Sequence, residues 1–197
     1  IFNVLDIVLL ANCVLTQSCA NDCIWEDDEG NACGGAPTCN ACFGCAADLN
    51  GDGGYNVLDI VVLANCVLAE NCGGRVDDAA ESRIIMNGNI VSIEADGFIG
   101  GVQMTLTHGD DFTIDMTDRA LLADYLTKGN ETRLLVITPE TDELFSFEGD
   151  FEIAEIIVAN SHAEVSVDLP LAASFRLSDA YPNPFNPVTT MTLTMPV

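Results

Sequence analysis

The chain has 197 residues, of which 31 are acidic and six basic, giving a formal net charge of −25. That balance repels phosphate backbones and anionic bilayers, so it argues against a nucleic-acid partner. Hydrophobic residues still make up 49% of the chain, enough for one ordinary domain or two small ones with a buried core. In chain order, the first predicted element is the run 4–15. It is apolar nearly all round, interrupted chiefly by Asp6 and Asn12, and reads as a helix buried on more than one side. Its twelve residues, like those of a second such run at 57–68, fall well short of the ~20 that a bilayer needs, so no membrane insertion is expected.

Residues 20–47 form a cysteine-rich segment with Cys23, Cys33, Cys39, Cys42 and Cys45. The last three make C-x2-C-x2-C, a spacing that suits zinc or an iron–sulfur cluster. Position 49 is Leu, however, where the ferredoxin run needs its fourth cysteine. Disulfides are the preferred reading in a chain this rich in cysteine. Five is an odd number, so one of these cysteines is left free or bonded elsewhere.

Residues 48–59 read D-L-N-G-D-G-G-Y-N-V-L-D. A hard cation takes several oxygens at once, and this run sets Asp48, Asn50, Asp52, Asn56 and Asp59 at loop positions 1, 3, 5, 9 and 12. Gly53 sits at position 6 for the sharp turn, and Gly54 offers its carbonyl at position 7. The expected ion is Ca2+. The loop is followed by the apolar run 57–68, and residues 54–72 align without a gap on residues 1–19 at an offset of 53. One supersecondary unit is thus used twice. In the first copy Asn3 and Asp6 match positions 9 and 12, while the D-x-N-x-D-G half is not in the sequence. The repeat also equates Cys13 with Cys66 and Cys19 with Cys72, so two local disulfides, Cys13–Cys19 and Cys66–Cys72, are the preferred pairing and point to an oxidising compartment.

The pattern D-x-N-x-D-G-x-x-N-x-x-D ahead of a short apolar helix, present as two copies, resembles the dockerin module, the calcium-dependent half of the dockerin–cohesin pair. The resemblance implies an aspartate closing the loop, two helices packed about a local pseudo-twofold, and a leftover helical face as docking surface.

Residues 73–83 read as a linker. Beyond it the period changes to that of strands: 90–94, 101–107, 112–116, 133–138, 144–147, 151–158 and 163–169, separated by turn signals such as Asp96-Gly97 and Gly129-Asn130. Seven strands within 84–169 predict an antiparallel sandwich. A short helix is expected at 118–126, with Asp118 as N-cap. The strand pattern around Gly100-Gly101-Val102-Gln103, 134–137 and 151–158 resembles the cohesin sandwich that receives dockerins; a generic immunoglobulin-like spacer fits it as well.

Residues 170–197 contain Y-P-N-P-F-N-P at 181–187, then Thr residues alternating with Met191, Leu193 and Met195. Three prolines in seven residues make a semi-rigid connector, and the alternation reads as a half-buried strand. The segment closely resembles the start of the C-terminal sorting domain of type IX secretion substrates, which implies export. A single strand there needs a sheet edge, its own or a neighbour's.

The fold class expected is therefore a multi-part α+β chain: a small dockerin-like helical calcium module (1–19 and 48–72) carrying a cysteine-rich insertion (20–47), then an antiparallel β-sandwich and an extended C-terminal strand. No enzyme is expected. His108 and His162 lie in no motif, and no nucleophile elbow or phosphate-binding loop is present. The function expected is a secreted, extracellular calcium-binding structural protein, partnered by copies of itself head to tail or by a cohesin-type protein. The alternative is a C-terminal docking and export appendage of a larger secreted enzyme or adhesin. A glycan adhesin lacks an aromatic platform, since the lone Trp25 sits in the cysteine-rich segment.

Overall fold

A computed structural model describes residues 4–19, 48–68, 75–169, 176–177 and 193–194. The cysteine-rich segment, Asn3, Cys72 and the Y-P-N-P-F-N-P run lie outside the described residues.

The two apolar runs are helices, α1 (Val4–Thr16) and α2 (Val57–Leu68). They are followed by β1 (Glu81–Asn87), β2 (Ile90–Ala95), β3 (Gly101–His108), β4 (Thr113–Met116), β5 (Ala120–Lys128), β6 (Glu131–Pro139), β7 (Glu143–Glu148), β8 (Phe151–Ala159) and β9 (Ser166–Asp168). Two further short strands, β10 (Arg176–Leu177) and β11 (Leu193–Thr194), pair with each other. One sheet has the order β4-β7-β2-β1-β9 and the other β5-β6-β3-β8. Their facing sides bury Ile84, Val91, Ile93, Leu144 and Phe145 against Val102, Met104, Leu106, Leu134, Val136 and Val158. This is a two-sheet β-sandwich with two helices.

The four-stranded sheet is covered on its other face as well. Leu135, Ile137 and Ala159 point away from the sandwich interior and join a second core with Ile7, Leu10, Ala11 and Val14 of α1 and Val57, Ile60, Val61 and Ala64 of α2. Burial on both faces explains why β6 reads as the unbroken apolar run Leu134-Leu135-Val136-Ile137 and why β3 is buried from Gly101 to Leu106.

Four expectations are corrected. The segment 118–126 is not helical: Ala120–Lys128 is β5, laddered along β6 from Ala120↔Pro139 to Lys128↔Glu131. Leu122 and Leu126 are four apart, a spacing shared by helix and strand periods, and in β5 both face the helices. The sandwich is not wholly antiparallel, because β9 runs parallel to β1. β1 begins inside the expected linker, whose earlier residues are also tied down: Asp78 bridges to Phe98, and Ala79 donates to the Phe98 carbonyl at 3.1 Å. Finally, the C-terminal strand adds to neither sheet of the sandwich: Leu193 pairs with Leu177 in a separate two-stranded sheet within its own segment.

Candidate docking face and calcium loop

The outer face of the β5-β6-β3-β8 sheet is shaped for the helices that lie on it. A side chain at Gly101 would bring a Cβ to 2.6 Å from Val57 Cγ2 and 2.9 Å from Val61 Cγ2, and one at Gly100 would collide with Val61 Cγ1. The glycine pair thus lets α2 rest almost on the β3 backbone. Two positions on, Gln103 is 6% exposed and its Oε1 accepts the Val57 N–H at 3.1 Å. That N–H is among the first of α2 and has no partner within the helix, so the sheet supplies a cap across the interface.

α1 is held at its other end. Lys128, the chain's lone lysine, donates to the Thr16 carbonyl at 3.3 Å, and the Gln17 side-chain amide lies 2.8 Å from Arg133 Nη2, a hydrogen bond once the amide oxygen is assigned to the side facing the guanidinium. Cys13 and Cys19 are bonded, with Cα atoms 4.9 Å apart, and Cys66 is disulfide-bonded as well. Away from the sheet, α1 exposes Val4, Leu5, Val8 and Leu9. The repeat equivalents of Val4 and Val8 are Val57 and Val61, which are buried on the glycine pair.

In the loop, Gly51 and Gly53 have φ of 78° and 84°, the left-handed conformation that the turn requires. Asp48 accepts from Gly51 N and Gly53 N at 2.8 and 3.1 Å, Asn50 Oδ1 from Asp52 N at 3.0 Å, and Asp52 Oδ1 from Gly54 N at 2.7 Å. Asn56 Oδ1 caps α2 by accepting from Leu58 N at 2.7 Å. Asp59 is fully buried, and its carboxylate accepts from Leu49 N at 2.8 Å, Asn50 N at 3.4 Å and Asn56 N at 3.0 Å. Burial pushes the Asp59 pKa up, the three N–H bonds oppose the rise, and Asp52 adds to it. In this arrangement the oxygens are turned to backbone N–H groups, and no three His, Cys, Asp or Glu side chains converge as a metal site among the described residues. The donor set is nonetheless all oxygen, with a buried carboxylate and no lysine or arginine in residues 48–59, which is chemistry that suits calcium. Asp6, the counterpart of Asp59, is half-buried in the first turn of α1.

His162, which lies in no sequence motif, and its neighbour Ser161 both meet Asp78. Ser161 Oγ donates to Asp78 Oδ2 at 2.6 Å, and His162 Nδ1 lies 3.0 Å from the same oxygen. Ser161 N and Arg75 N also donate to this carboxylate, at 3.0 and 2.9 Å. Burial raises the Asp78 pKa, but the Ser161, Arg75 and His162 bonds outweigh it and hold the group below its ordinary value. Ser161 Oγ also lies 3.5 Å from His162 Nδ1, so the serine, the histidine and the shared carboxylate form one hydrogen-bonded cluster. The cluster clamps the start of the sandwich to the β8–β9 turn.

In the sequence Gly101 and Gln103 read only as part of a strand pattern. The available signal was a glycine pair at the start of an alternating strand, which marks a backbone approached closely.

No protein-family model and no curated protein matches the chain. Among solved structures it is similar to the non-cellulosomal cohesin from the hyperthermophilic archaeon Archaeoglobus fulgidus, at 14% identity and a TM-score of 0.33, over 46% of this chain and 86% of that one. The functional reading therefore rests on the chain's own geometry.

Proposed function

We propose that this is a secreted, calcium-dependent structural protein that assembles head to tail, the helical unit of one molecule seating on the four-stranded face of the next. The observation that carries it is the docking of α1 and α2 on the outer face of β5-β6-β3-β8, through Gly100, Gly101 and Gln103. One chain holds both a helical plug and a sheet that fits it. Exchange of the plug between copies joins different patches, a heterologous contact that generates an open filament unless it closes into a ring. Only seven residue steps separate Leu68 from Arg75, about 24 Å when extended, so exchanging molecules would stay in close file. Calcium on Asp48, Asn50, Asp52, Gly54, Asn56 and Asp59 would neutralise the buried carboxylate and hold the start of α2 in place to meet Gln103. The Cys13–Cys19 bond supports an oxidising, extracellular location.

The test is electron microscopy with light scattering of the full chain, before and after excess EDTA. Filaments or multimers that shorten without calcium are expected; a monodisperse monomer under both conditions, at high concentration, overturns the proposal.

A further inference from the structure

Helix α1 ends in a way its own sequence does not favour. Gln17 N donates to the Val14 carbonyl at 3.2 Å and Ser18 N to the Cys13 carbonyl at 3.1 Å, the paired bonds of a Schellman cap. Such a cap puts one residue in the left-handed region, where glycine or asparagine is easiest. Here that residue is Gln17, with φ of 56°. A strained non-glycine residue calls for an explanation at its side chain. The Gln17 amide meets the Arg133 guanidinium and, with its oxygen assigned to that side, accepts from it; next to it the Thr16 carbonyl accepts from Lys128. Both partners belong to the sandwich, and they are two of only six basic residues in a chain of net charge −25. The carboxyl end of a helix carries partial negative charge, so cations are favourable there.

We infer that Arg133 and Lys128 form a clamp that recognises the C-terminus of α1, with Gln17 retained at a strained position as the group being read. With Gln103 on the amino end of α2, the clamp makes the sheet face polar: one end accepts a helix start and the other a helix finish. The apolar contacts alone do not impose that orientation, because hydrophobic attraction is non-directional. The inference rests on the docking face described above and identifies which of its residues set the orientation of the helical unit, whether that unit comes from the same molecule or a second copy.

Hydrogen–deuterium exchange of the full chain, followed by mass spectrometry, tests it. Arg133→Glu is expected to speed exchange of the α1 amides roughly threefold to tenfold while amides of β2 and β7, in the other sheet, keep their rates. Gln17→Lys combined with Arg133→Glu should restore protection by reversing the pair. Gln17→Gly is the decisive variant. If Gln17 serves only the backbone, glycine relieves strain and slows exchange of α1, and the inference is overturned. If Arg133 reads the amide, glycine speeds it. Failure of the paired substitution to restore protection also overturns the clamp. Light scattering on the same samples reports self-assembly separately, so a wild-type chain that never multimerises defeats the filament proposal and leaves the clamp to be judged on exchange rates.

Discussion

At Gly101 the helical unit and the sandwich come within backbone contact, and the space for a side chain is already filled by Val57 and Val61. Gly101→Val should loosen both helices by about 1–3 kcal/mol through overpacking. The interior of the sandwich should be unaffected, because position 101 faces the helices. Faster hydrogen exchange confined to α1 and α2 is the expected result; equal acceleration through β2 and β7 would mean that Gly101 holds the sandwich. Asp59 gives a pH dependence whose sign follows from its environment. Its folded pKa lies above the ordinary 3.8, so in that window the folded chain holds the proton more tightly than the unfolded one. Metal-free protein should therefore lose helical-unit stability as pH rises from about 3.8 through the raised pKa, and calcium should remove that loss. Circular dichroism melts of metal-free protein across this range check the sign, and stability rising with pH there would contradict it.

Among the elements, α1 depends on its covalent closure. The Cys13–Cys19 bond ties the residue whose carbonyl receives the Ser18 N–H to the residue just beyond the cap. Replacing both cysteines by serine should cost the helical unit about 2 kcal/mol on loop-entropy grounds, read as a lower thermal midpoint of that unit alone. Elements with a clear apolar run or alternation between turn signals were legible in the sequence: α1, α2, β2, β3, β4, β6, β7 and β8 stand within a residue or two of where those signals put them. β5 was not, because Leu122 and Leu126 satisfy both periods and only the ladder to β6 decides between them. β1 was hidden for a related reason. Its polar start, Glu81-Ser82-Arg83, looks like linker until β2 and β9 pair on either side of it. The pairing of β10 with β11 links residues sixteen apart, beyond what local alternation can reveal.

Taken whole, the molecule is a layered stack: a five-stranded sheet, a four-stranded sheet, and two helices on top. The helical layer has its own core, one face of which is the sheet, so its stability should respond to ligands that leave the sandwich alone. If the loop binds calcium with the 10⁻⁴ to 10⁻³ M affinity common to extracellular modules, then about 10 mM calcium adds about 1.4–2.7 kcal/mol to that layer. Differential scanning calorimetry should show a calcium-dependent lower transition and a calcium-independent upper one. A single transition that moves as a unit would mean that helices and sheets unfold together.

By itself the sequence determined the parts: the repeat, the oxygen-rich loop, the helical and most of the strand segments, and the acidity that excludes polyanionic partners. Each is written in local order, in spacing or in composition, and needs no knowledge of distant contacts. Only the tertiary structure decided that α2 lies on Gly100 and Gly101, that Gln103 caps it, that Lys128 and Arg133 hold the end of α1, and that Asp78 gathers Ser161 and His162. Those contacts join residues from 39 to 116 positions apart. Which faces meet across such distances depends on how whole layers pack, and periodicity marks a face as apolar without naming what will cover it.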